Sequence, residues 1–332
     1  MLGFIQFISL AYGVFLSFFP SYIDETVDRW GRPGEPGEYL AHWPTDKTAD
    51  ITPVACHSHN DYWRRVPLYS AIQAGCIGVE ADVWLFDNEL YVGHTKSSLG
   101  VNRTLTSLYI DPLVHLLDKQ NPRTRFQPDR LDPPNGIFDT KPSQTLALLV
   151  DFKTNGHDIW PRLTLQLSPL RSRGYLTHFN GTNVIERPIT VVATGNAPFD
   201  LVMANSSYRD IFFDAPLAEL AVSASTKART ELTTVSIPYN HTNSYYASVS
   251  FHKSIGFPWR FQLSEKQRDL VRAQIKGAHD RGLKVRYWDT PVWPYTLRNQ
   301  IWTDLVREGV DYLNVDDLKS ATKKDWSLSW SW

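Results

Sequence analysis

The sequence predicts an α/β chain folded as a (β/α)₈ TIM barrel. Three observations carry this. Eight short, mostly apolar runs are spread over about 270 residues, the length such a barrel takes. Helix-like segments lie between most of them, and a parallel sheet needs such crossovers. Polar residues gather at the ends of the runs, most densely on the first three. An open doubly wound sheet is the alternative, but no G-x-G-x-x-G follows an early strand.

Residues 2–20 carry no charge, so the first 23 residues read as a secretory signal or a short membrane anchor, ahead of a buried helix. Residues 24–50 are polar, broken by Pro33, Pro36 and Pro44, and read as a linker. The barrel domain is expected over 51–325. Its strands fall at 51–57, 77–83, 146–152, 189–194, 210–214, 246–251, 283–288 and 311–315, with a short hairpin strand at 90–93. Five prolines between 119 and 143 predict a long irregular loop. Ser264 and Gln267 form a capping box at the start of a helix over 264–281, and Gly282 stops it. The terminal run from Trp326 to Trp332 reads as a frayed end, ahead of a membrane-interface tail.

Thirty-four Lys+Arg against 35 Asp+Glu give a net charge of -1, which argues against a nucleic-acid partner. Cys56 and Cys76 exclude a Cys-ligated zinc module. Counted back from their strand ends they differ in height by roughly 10 Å, beyond disulfide reach, which predicts two buried thiols. Sequons at Asn102, Asn180, Asn205 and Asn240 join the apolar N-terminus in pointing to the secretory pathway, with the product secreted or membrane-anchored.

The candidate chemistry sits at strand ends. His57 ends the first strand, followed by His59 and Asn60. Glu80 and Asp82 lie two apart on the second, so they share a face. His94 follows the short strand. Asp151 ends the third strand, with Lys153 just beyond. In a barrel these positions meet at the C-terminal face. Three crowded carboxylates repel one another, and a hard divalent cation relieves this, Mg²⁺ favoured over Ca²⁺. Two histidines then serve proton transfer, and Lys153 holds a phosphate. Trp288 is a pocket wall or interior packing.

These residues resemble the PLC-like phosphodiesterase superfamily, which includes glycerophosphodiester phosphodiesterases and the phospholipase D toxins of spider venom. The match rests on His57, Glu80-x-Asp82, His94 and Asp151, on Asp151-Phe-Lys153-Thr, and on Gly309-Val-Asp near the end. The stretches HSHNDYWRRVPL, GCIGVEADVWL, LYVGH and RTLTSLYIDPL are similar, more narrowly, to the fungal altered inheritance of mitochondria protein 6 family. The resemblance implies a metal-dependent phosphodiesterase acting on a glycerophosphodiester or lysophospholipid-type substrate. The apolar ends of the chain leave membrane-surface contact open, and nothing in the sequence sets the oligomeric state. It implies His57 and His94 as catalytic, Glu80, Asp82 and Asp151 as metal ligands, and Lys153, Asn60 and Trp288 as substrate contacts. The toxin-like spacing from His57 to Asn60 favours His57 over His59. Where glycerophosphodiesterases carry H-R-G, this chain has His57-Ser-His59-Asn60, so the phosphate-touching arginine is missing there. The competing functions are a non-catalytic binding protein on the same barrel and a metal-free glycoside hydrolase.

Overall fold

A computed structural model describes residues 2–17, 34, 48–129, 131–221, 238–323 and 325–326. The chain divides into two units, Met1–Asp46 and Lys47–Trp332. In the first, Leu2–Ser17 is a helix without a charged residue, and side chains 3–12 are all exposed. This departs from the buried-helix reading. Among the described residues no helix is long and apolar enough to cross a membrane. Most of the expected linker and the terminal Trp330 and Trp332 lie outside the described residues.

The second unit holds a closed parallel barrel of eight strands: β1 Val54–Ser58, β2 Cys76–Phe86, β3 Leu146–Phe152, β4 Ile189–Gly195, β5 Ile211–Pro216, β6 Ser244–Ser250, β7 Lys284–Trp288 and β8 Tyr312–Val315. Each pairs with its sequence neighbours, and β8 returns to β1. All eight expected strands are present, with ends shifted by up to three residues. The expected short strand forms as Glu89–Val92, antiparallel to the far end of β2. The long loop is irregular over the described residues between Gln120 and Leu146. The helix Glu265–His279 starts on the Ser264–Gln267 capping box.

Alternation on β2 sorts its two faces. Val79, Ala81 and Val83 are fully buried in the apolar core between sheet and helices. Gly78, Glu80 and Asp82 face the barrel axis. A Cβ on Gly78 would lie 2.4 Å from His57 Nδ1 and 3.0 Å from the Tyr246 hydroxyl, and groups from β1, β2 and β6 meet only in the interior. Residue 78 is therefore where the interior has no room for a side chain.

The two cysteines are not free thiols. Cys56 and Cys76 form a disulfide, with Cα atoms 4.8 Å apart. The height argument failed because β2 runs past the barrel rim into its hairpin, so its end does not mark the rim. The register pairs His57 with Gly78 and, across a bulge, Val54 with Cys76, which brings Cys56 beside Cys76.

Candidate active site

The strand ends meet in a pocket of about 280 Å³ at the C-terminal face, lined by His59, Asn60, Glu80, Asp82, His94, Asp151, Lys153, Thr194, Gly195, Arg286 and Trp288. Two strands supply its centre. Asp82 and Asp151 are register partners on β2 and β3, and Glu80 sits one alternation below Asp82. One oxygen from each of Glu80, Asp82 and Asp151 lies within 4.8 Å of the others. Such an all-oxygen set fits a hard divalent cation, and no particular ion is singled out by it. Lys153 lies 2.7 Å from Asp151 Oδ2 and 3.0 Å from Asp82 Oδ2, so its ammonium neutralises part of the cluster. Burial and the Glu80 charge push Asp82 up to about 7, with Lys153 opposing them. Burial lowers the Lys153 pKa, but Asp151 and Asp82 outweigh it and the net shift is upward.

The first-strand histidines are placed opposite to the expectation. His57 is fully buried below the pocket, 3.3 Å from the Tyr246 hydroxyl, and is absent from the lining. Among the described residues its Nε2 has no hydrogen-bond partner. Burial, then the charges of Arg286 and His59, hold its pKa well below the usual range, which keeps it neutral. His59 is the one at the pocket. Its N–H still donates to Val315 O at 3.0 Å, so strand-like pairing continues past Ser58 and lifts His59 one layer above His57. His59 Nδ1 lies 2.9 Å from Asp316 Oδ1, and Nε2 lies 3.7 Å from Glu80 Oε2. Burial alone lowers the His59 pKa. The Asp316 hydrogen bond and the Glu80 and Asp316 charges reverse this, and the net shift is upward.

His94 is half-exposed, with Nδ1 3.5 Å from Asp82 Oδ2. The Tyr62 hydroxyl lies 2.8 Å from Asp82 Oδ2 and 3.3 Å from His94 Nδ1. The Trp63 ring centroid is 4.9 Å from that of His94. Asn60 takes a left-handed backbone (φ 48°), which Asn tolerates, and its N–H donates to Glu80 Oε2 at 2.9 Å. Asn60 and Trp288 both line the pocket.

Sequence reasoning missed three members. Arg286 on β7 is buried in the pocket wall. It donates to Asn314 at 2.8 Å and sits 3.9 Å from Glu80 and 3.6 Å from Asp214. Asp214 is buried beside it, and burial raises its pKa. Asp316 orients His59. Arg286 and Asp214 sat in runs read only as strands. Asp316 directly follows the expected strand 311–315 and was legible as a strand-end carboxylate. A larger cavity of about 630 Å³ lies apart from this site, lined by Trp160, Arg171 and Tyr208 among others. No carboxylate cluster of the kind seen at the barrel mouth lines it.

Residues 45–214 match the AIM6-like phosphodiesterase domain. The chain is 41% identical over 291 residues to an altered inheritance of mitochondria protein 6 homolog from Arthroderma benhamiae, spanning 85% of this chain and 87% of that one. It is 34% identical over 289 residues to altered inheritance of mitochondria protein 6 of Saccharomyces cerevisiae, spanning 82% and 71%. A solved glycerophosphodiester phosphodiesterase from Parabacteroides distasonis aligns over 82% of this chain and 97% of its own at 14% identity. Its TM-score of 0.40 is too loose to carry an argument. The chain belongs to the AIM6-like family and carries a phosphodiesterase-like domain.

Proposed function

We propose that this family member is a metal-dependent phosphoric diester hydrolase, or a cyclising phosphodiesterase, acting on a glycerophosphodiester or lysophospholipid-type substrate. One observation carries the reading: three convergent carboxylates share a pocket with two histidines, and Asp316 orients one of them. Mg²⁺ held by Glu80, Asp82 and Asp151, with Ca²⁺ as the alternative, would supply positive charge for a phosphoryl oxygen. His59, beside Glu80, and His94, beside Asp82, divide the proton transfers. His59 has Nδ1 tied to Asp316, so Nε2 is the atom that accepts or returns a proton. Lys153 and Arg286 bind the phosphate, and Arg286 takes the part of the arginine missing after His57. Trp288 walls the leaving-group side. His57 serves as buried packing under the site.

The Cys56–Cys76 disulfide, exposed sequons at Asn102, Asn180 and Asn205, and the uncharged first helix support a secretory-pathway location, secreted or anchored. The test is turnover of His59→Ala and His94→Ala with Mg²⁺ binding followed by calorimetry. Each variant should bind Mg²⁺ and lose on the order of 10²–10⁴ in rate. Folded, metal-loaded variants with unchanged turnover would remove both from the chemistry. Metal binding without turnover of any phosphodiester by the parent chain would favour a binding role.

A further inference from the structure

The barrel mouth exposes aromatic side chains on neighbouring loops. Sheet order sets the loops after β1, β8, β7 and β6 side by side along one arc of the rim. Trp63 follows β1 and is 59% exposed. Phe257 and Trp259 follow β6 at 66% and 77%. Trp293 and Tyr295 follow β7 at 75% and 64%. The Trp259–Phe261 turn packs against the helix Tyr295–Glu308, so the β6 and β7 groups adjoin. Trp288, at the end of β7, lines the pocket itself. Side chains of this kind ordinarily bury 150–250 Å² each, and scattered exposure does not explain several on one arc.

We propose that this arc docks on the surface of an anionic phospholipid bilayer and turns the pocket toward lipid. Two observations favour lipid over a protein partner. First, exposed Arg65, Lys253 and Arg260 stand among the aromatics, residues 62–66 and 251–262 contain no Asp or Glu, and the carboxylates of the other two loops are bonded within the protein, Asp289 to Ser250, Asp316 to His59 and Asp317 to Arg298. Tryptophan and tyrosine with basic neighbours is the composition that partitions at a negatively charged headgroup layer. Second, the same chain carries the uncharged helix Leu2–Ser17 with residues 3–12 exposed, and stable attachment to a bilayer generally takes two such signals. The proposal extends the phosphodiesterase reading by placing the substrate in a membrane, but docking is measured without turnover, so either idea can fail alone.

The test is co-sedimentation of the full chain with phosphatidylcholine vesicles, with and without phosphatidylserine. The parent should bind the mixed vesicles and release as salt rises. Trp259→Ser/Trp293→Ser should weaken that binding by roughly tenfold or more, because apolar area drives the insertion. Both side chains are exposed, so the melting temperature should hold. Brominated lipid should quench tryptophan fluorescence in the parent and quench it less in the variant. Equal binding by parent and variant would assign attachment to the first helix and overturn the proposal. So would a parent that binds no vesicle, or self-association that the same variant abolishes, which would make the arc a protein interface.

Discussion

His57 and His59 stand two residues apart, and their surroundings shift their pKa values in opposite directions. His57 is buried and held below the ordinary histidine value of about 6.5. As pH falls through that value the unfolded chain takes up a proton that the folded His57 refuses, so His57 costs stability below about pH 6.5. His59 is raised, and its contribution is present below about 6.5 and lost as pH rises through its folded value. His57→Gln should therefore lose less melting temperature than the parent between pH 7 and pH 5. Parallel profiles would contradict the buried neutral assignment. A second residue test concerns Gly195, which has φ 67° and whose added Cβ would sit 2.1 Å from Asp151 Oδ1. Gly195→Ala should displace that carboxylate and weaken Mg²⁺ binding roughly 10–100-fold by calorimetry, as loss of a ligand's supporting neighbour does.

The segment after β1 is an element held by one buried carboxylate. Asp61 accepts from Ser58 Oγ at 2.8 Å, Leu68 N at 2.6 Å and the Tyr109 hydroxyl at 3.1 Å. That fixes the turn carrying His59, Asn60 and Tyr62. Asp61→Ala leaves those donors unpaired and should cost about 3 kcal/mol in urea unfolding. Elements of this kind were unevenly legible. The eight strands showed because buried parallel strands read as apolar runs. Glu80 and Asp82 showed because a period of two puts them on one face. The hairpin of His178–Phe179 with Val184–Ile185 was missed, since two-residue strands leave no pattern. That His59 and not His57 lines the pocket was not legible, because family spacing could not say that the pairing with β8 runs on past Ser58.

At the scale of the molecule, the disulfide ties β1 to β2, the first strand pair of the barrel. Cys56→Ser/Cys76→Ser should lower stability by about 2–4 kcal/mol, and reducing the parent should reproduce the loss. Reduction without effect would mean the crosslink constrains little. The central claim remains that the barrel mouth cleaves a phosphodiester with a divalent cation. Its most direct measurement is ³¹P NMR of the full chain with a panel of glycerophosphodiesters and lysophospholipids, in Mg²⁺ and then in EDTA. The expected result is turnover that stops on chelation, with the product signal separating a cyclic phosphate from a monoester. Unchanged spectra from folded, metal-loaded protein, or turnover that EDTA leaves intact, would contradict it.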